Sequence, residues 1–272
     1  MGLRINTNVA ALNSARILNR STKSLNTSLE RLASGLRINR AKDDAAGLAI
    51  AEGFRSVVSG TQVAQRNAQD GVSMVQTAEG ALSETTNILQ RIRELAVQAA
   101  NGTQSTENQA ALNNEVVQLL DQIDDIAFDT EFNGLRVLSS SQTVTLQAGA
   151  QQGQTLRIVV RGASTRDLGV SAVRVSSAAS AVAAISTIDN ALRSVTTLRS
   201  DLGAFQNRLE FTINTLAIQE ENSSAAESAI RDADIARETI VFTRNQILVS
   251  AGTSVLAQSN VVPQTALQLL GG

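Results

Sequence analysis

The sequence predicts a mainly α protein. It reads as a long antiparallel helical bundle, with paired N- and C-terminal coiled-coil helices and a small β-hairpin region in the middle of the chain. Three observations carry this. First, from Phe54 an apolar or small residue recurs at alternating steps of three and four: Val57, Thr61, Ala64, Ala68, Gly71, Val75, Ala78, Leu82, Thr85, Leu89, Ile92, Ala96 and Ala99. That is the seam of one long helix buried against partner helices. Second, the 272 residues contain a single proline, Pro263, and an interior proline costs a helix about 3 kcal/mol. Third, aromatic residues make up 2% of the chain, so thin bundles with Leu, Ile, Val and Ala seams fit better than a thick core built on rings.

The elements follow in order. A first helix begins near Thr7, with Leu18, Leu25, Leu29, Leu32 and Leu36 on one face and Gly35 at the position of a C-terminal cap. Gly35 to Asp44 breaks the pattern and reads as a connector, in which Asp43 or Asp44 can cap the next helix. That helix carries the long stripe to Asn101-Gly102, a stop signal. A third helix starts at Ser105 or Thr106, with the seam Leu112, Val116, Leu119, Ile123 and Ile126, and ends before the tight turn of Asn133-Gly134. From Leu135 to about Val175 the period becomes two: Val144, Leu146 and Ala148, then Leu156, Ile158 and Val160, with Gln151-Gln152-Gly153 between them, predict a β-hairpin. This Ser-, Thr-, Gln- and Gly-rich stretch reads as the most exposed part of the chain.

A fourth helix begins near Ser180 with the seam Ile185, Ile188, Leu192, Val195, Leu202, Leu209, Ile213 and Leu216, broken by the polar Arg199 and Gln206. Ser224 and Glu227 have the spacing of a capping box, which allows a restart near Asn222. The last helix places Val241, Leu248, Val255 and Val262 seven residues apart until Pro263 interrupts it. Domain bounds of 1–44, 45–224 and 225–272 follow, with the first and last forming one unit. Leu18, Leu25, Leu32, Val241, Leu248, Val255 and Val262 are the expected assembly seam. Two such helices have little core of their own, and isolated helices are marginal in water. The chain ends are therefore expected to order only on assembly with other copies. Leu248→Asp or Val255→Asp is expected to stop assembly while the middle of the chain stays folded.

Composition excludes several functions. A net charge of -2 lacks the basic stripe that nucleic acid requires. No run of about 18 apolar residues offers a membrane span. The first residues lack a basic segment followed by an apolar one, so no cleavable secretory signal is expected. The absence of Cys is compatible with any redox compartment. There is no His, Cys, Trp or Tyr, which removes the commonest catalytic side chains and many metal ligands.

The acidic clusters have simpler readings than chemistry. Asp129, Glu131, Asn133 and Gly134 resemble the first half of a calcium loop, but the twelfth position, which needs a bidentate acid, is Ser140; a turn explains them. Asp121, Asp124 and Asp125 read as a solvated face, and Asp43 and Asp44 as caps. No catalytic, cofactor-binding or metal site is assigned.

Four segments resemble a known family over their whole length: Met1-Gly-Leu-Arg-Ile-Asn-Thr-Asn-Val-Ala-Ala-Leu-Asn; Arg31-Leu-Ala-Ser-Gly-Leu-Arg-Ile-Asn-Arg-Ala-Lys-Asp-Asp-Ala-Ala-Gly-Leu-Ala-Ile; Gln90-Arg-Ile-Arg-Glu-Leu-Ala-Val-Gln-Ala-Ala-Asn-Gly; and Ala251-Gly-Thr-Ser-Val-Leu-Ala-Gln-Ser-Asn. They look like bacterial flagellin in a short form, with residues from Leu135 to about Val175 in place of the outer variable domains. The resemblance implies a structural, non-enzymatic subunit of the extracellular flagellar filament, with the chain ends pairing as a coiled coil. It implies export through the flagellar type III apparatus, and as partners other copies of the chain, an export chaperone at the C-terminal region, and filament cap and hook-junction proteins. It also implies recognition of the monomer by the vertebrate flagellin-sensing Toll-like receptor through Arg91, Leu95 and Glu115; the bland reading is that Leu95 is packing and the two charges are ordinary surface groups. Ser139, Ser140, Ser141, Thr143, Ser164 and Thr165 are expected to face outward, where family members are often O-glycosylated. The alternative within the superfamily is a hook–filament junction protein. Its connector tends to carry Pro after the paired Asp, whereas here Asp43-Asp44 leads into Ala45-Ala46-Gly47.

Overall fold

The computed structural model describes the backbone of residues 7–270; the side chains of residues 262–264 and 266–270 are not described. Five helices and two small antiparallel sheets follow the predicted order. They are α1 (Val9–Ser34), α2 (Ala45–Ala99), α3 (Thr106–Asp129), β1 (Glu131–Phe132), β2 (Leu135–Arg136), β3 (Gln142–Gln147), β4 (Thr155–Val160), α4 (Ala178–Arg231) and α5 (Ile235–Leu270). They gather into two compact units: Val57–Glu221, and the residues up to Ser56 together with those from Asn222 onward.

Local chemistry sets the helix ends. Asn8 caps α1 by accepting from the Ala11 N–H at 3.1 Å. Gly35 ends it in the left-handed region, φ 72°, with its N–H on the Arg31 carbonyl. Asp44 caps α2 by accepting from Gly47 N at 2.9 Å. Ser105 caps α3 through Asn108 N, and Asp234 accepts from Arg237 N at the start of α5.

In Val57–Glu221 the predicted stripe of α2 is the core. Ala64 is buried, and Ala68, Val75, Ala78, Leu82, Leu89, Ile92, Ala96 and Ala99 are buried with Val116, Leu120 and Ile123 of α3 and Ile188, Val195, Leu202 and Leu209 of α4 in one cluster. The buried hydroxyls of Thr61 and Thr85 donate to the carbonyls four residues back, Val57 and Ala81, so both are tolerated in the seam. The hairpin β3–β4 pairs Val144 with Ile158 and Leu146 with Leu156. Leu156, Ile158 and Val160 bury their side chains in the cluster. Gly71 admits the hairpin, because a Cβ there would collide with Leu146. At β1–β2 the turn residues Asn133 and Gly134 both have positive φ, 51° and 75°, the geometry of a two-residue hairpin.

Three expectations are corrected. α4 runs to Arg231 without a restart near Asn222. Ser164 and Thr165 are buried, 6% and 5% exposed, because the Asp124 carboxylate on α3 accepts from the Thr165 N–H and hydroxyl, both at 2.8 Å. Asp124 thus leaves the acidic face predicted for it. Finally, α5 continues through Pro263 to Leu270. Proline has no N–H for the carbonyl four residues back, which is that of Ser259. Asn8 Nδ2 donates to that carbonyl at 2.8 Å, so the group Pro263 leaves unpaired is satisfied by the other end of the chain.

Candidate functional site

The terminal helices α1 and α5 pair within their unit. At one end the connector is stitched to the α4–α5 break. Arg37 N donates to Arg231 O at 2.7 Å, Ala233 N to Gly35 O at 2.9 Å, and Leu36 bridges Asp232. Arg37 Nη2 adds a bond to Ile230 O at 2.6 Å. Arg231 pairs with Glu52 at 3.2 Å and Glu227 at 3.6 Å. In the connector, Asp43 accepts from Arg40 N and Asn39 N. The Arg40 N–H leads in holding its carboxyl below the usual carboxylate range.

The pair itself is poor in buried apolar surface. Among the described residues of this unit, the buried apolar side chains are Ile38 and Ala51, joined by the polar Ser21, Ser28, Ser223 and Asn245. The predicted seam residues divide. Leu18, Leu25 and Leu32 are half-buried on α1, and Val241 is half-buried on α5. Leu248 and Val255 are 47% and 53% exposed, so they do not face α1 within the subunit. Val262 lies outside the described side chains. The α5 residues that turn inward are instead Glu238, Phe242, Asn245, Val249, Gly252, Leu256 and Ser259. Sequence reading missed them because four of the seven are polar or lack a side chain, and apolar periodicity is blind to those.

In Val57–Glu221, Arg91 and Glu115 meet on the outer face of α2 and α3. Arg91 Nε and Nη2 donate to Glu115 Oε1 at 3.1 and 2.8 Å, and Nη1 to Glu94 at 3.2 Å. Glu115 first, then Glu94, holds the guanidinium above its usual pKa. Leu95 is 1% exposed and belongs to the core. The three sequence-predicted residues are therefore two surface charges in contact and one packing side chain. Among the described residues, no three Asp or Glu side chains converge where a metal could sit, and no helix is long and apolar enough to cross a membrane.

Apolar side chains turned outward from a thin helix pair, on a chain with one well-filled helical core, mark a protein that associates with other chains. Comparison with known proteins gives the family. The bacterial flagellin N-terminal helical region matches residues 5–143, and the C-terminal helical region matches residues 185–270. A flagellin of Halalkalibacterium halodurans is 46% identical over 269 residues, 98% of this chain and 99% of its own. A flagellin of Bacillus subtilis is 42% identical over 309 aligned positions, 98% of this chain and 100% of its own. The crystal structure of Bacillus cereus flagellin aligns with a TM-score of 0.49 at 32% identity, over 60% of this chain and 94% of that one. The chain belongs to the bacterial flagellin family. It is a structural subunit of the flagellar filament, which is extracellular and built by self-polymerisation, and it is not an enzyme.

Proposed function

We propose that the chain polymerises by ordering its terminal pair between neighbouring copies. The observation that carries this is the placement of apolar residues in that unit. Val9, Leu12, Ile17 and Leu29 of α1 and Ile235, Ile240, Ile247, Leu248, Val255 and Val261 of α5 are exposed, against two buried apolar side chains. Exposed apolar surface costs roughly 25 cal/mol per Å² relative to burial, so packing against other copies supplies the stabilisation that the pair lacks alone. The chain travels unfolded through the flagellar type III apparatus without a cleaved signal. An export chaperone takes the C-terminal helix, the filament cap receives it, and hook-junction proteins continue the same packing.

In the free subunit the Arg91–Glu115 surface is read by the vertebrate flagellin-sensing Toll-like receptor, with Leu95 holding α2 and α3 at the spacing that lets the charges meet. In the filament that surface is covered by other copies.

Seeded growth tests the assembly reading. Purified chain added to short filament seeds in precipitating salt is expected to give long uniform filaments by negative-stain electron microscopy. Persistent monomers with protease-sensitive ends would defeat it. A receptor reporter assay tests the second role. Monomer is expected to activate, Arg91→Ala and Glu115→Ala are expected to weaken activation, and silence from the unmodified monomer would defeat this role.

A further inference from the structure

Two stripes on α5 compete for α1. One is apolar: Ile240, Ile247, Leu248 and Val255. The other is mixed. Glu238, Asn245, Gly252 and Ser259 recur every seven residues, alongside Phe242, Val249 and Leu256. Hydrophobicity alone selects the first. In the folded chain the mixed stripe faces inward, with Asn245 8% exposed, while Ile240 and Ile247 are 61% and 63% exposed.

Three contacts along the pair hold the mixed stripe in place. Near the stitched end, Arg31 Nη1 lies 3.6 Å from Glu238 Oε2, whose side chain is only 12% exposed. In the middle, Gly252 lies under Leu18; a Cβ there would stand 3.3 Å from Leu18 Cδ1, so the side chain's absence sets the closeness of the helices. At the far end, Asn8 takes the Ser259 carbonyl that Pro263 leaves without a helical partner. None of the three can form if α5 turns its apolar stripe inward. Glu238 would then lose Arg31, Leu18 would meet a bulky side chain, and the Ser259 carbonyl would turn away from Asn8.

We propose that Glu238, Gly252 and Asn8 decide which face of α5 is used inside the subunit, and so keep the stripe Ile240–Ile247–Leu248–Val255 for a second copy of this chain. The inference rests on the filament reading above. The occupant is a second copy because the same unit carries the matching surface: Val9, Leu12, Ile17 and Leu29 on α1 are exposed. Along the open face of α5 the stripe is flanked by Thr239, Thr243 and Arg244. An α5 stripe meeting an α1 stripe is a contact between unlike surfaces, the kind that gives an open helical polymer wherever the rotation between copies does not close a ring.

Engineered disulfides in the full chain test this, since it has no Cys of its own. A Cβ at Gly252 would lie 3.7 Å from that of Leu18, within disulfide range. In filaments grown from seeds, Leu18→Cys/Gly252→Cys is therefore expected to oxidise within one chain. Leu18→Cys/Leu248→Cys, one turn away on the outward stripe, is expected not to. Adding Glu238→Leu is expected to lower the 18–252 yield at least threefold, and the swap Arg31→Glu/Glu238→Arg to restore it. Ile247→Asp and Leu248→Asp are expected to slow seeded elongation at least tenfold, and the subunits that do add are expected to keep the 18–252 link. An 18–248 link in place of 18–252, an unchanged yield with Glu238→Leu, or normal elongation of both Asp variants would each overturn the proposal. Failure of the unmodified chain to elongate on seeds would instead remove the filament reading, and the second copy with it.

Discussion

The two units use the same residue types in opposite directions. In Val57–Glu221, Leu82, Leu89, Ile92, Ile123, Ile188 and Leu209 are no more than 1% exposed, and three helices and a hairpin share one cluster. In the terminal unit, two helices of similar apolar content turn Leu12, Ile17, Ile240 and Ile247 outward, more than half exposed, and place Ser21, Ser28 and Asn245 between them. A two-helix layer cannot enclose a core, so inward apolar packing has little to gain there. A third layer must come from elsewhere. Where all layers are in one chain, burial is complete before assembly; where they are shared among copies, the apolar faces stay outside the subunit.

The largest expected effect separates the units directly. Leu89→Ala is expected to lower the stability of the free chain by about 2–5 kcal/mol, because it removes a fully buried side chain and leaves a cavity. Ile240→Ala, the same loss of bulk on an exposed face, is expected to stay within about 0.5 kcal/mol. Thermal unfolding of the monomer measures both, and equal shifts would erase the distinction. Asp124→Ala comes next. It leaves the buried Thr165 N–H and hydroxyl without their partner, at a cost of about 1–3 kcal/mol, read in the same experiment.

A smaller effect sharpens the terminal side. Asn8→Ala removes both the α1 cap and the bond to Ser259, with an expected loss of about 1 kcal/mol. It is to be read as faster hydrogen exchange at both chain ends in filaments, with no change in Val57–Glu221. The smallest concerns pH. The Asp43 carboxyl is held below its ordinary pKa by the Arg40 and Asn39 N–H groups. Its stabilisation of the connector is therefore complete above the ordinary aspartate range and is lost as pH falls through the lowered value. Protection of the Asn39 and Arg40 amides, relative to their intrinsic exchange rates, is expected to fall over that acidic window, and Asp43→Asn is expected to abolish the dependence.

Much of this molecule was legible in one dimension. The α2 stripe from Val57 to Ala99, the α4 seam, the hairpin alternation, the start of α3 near Ser105 and the cap at Asp44 all lie where the residues predict, because period and cap chemistry are local. Pro263 could have been read further than it was. A proline inside a helix frees a known carbonyl, and that orphan signalled that a donor was needed near Ser259. Asn8 supplies it from 251 positions away in the chain.

The sequence by itself determined the type and order of the elements and the family, since propensity, period and motif are written in neighbouring residues. Only the tertiary structure decided which face of each helix is inside. Asp124 reaches Thr165 across 41 positions and buries a segment whose composition reads as surface. On α5 two stripes share one period, and the choice between them fell to Arg31 and Leu18 of α1 and to Asn8, which caps it. Hydrophobic periodicity states that a face will be covered; it carries no information about whether the cover comes from the same chain, and contacts between distant residues settle that.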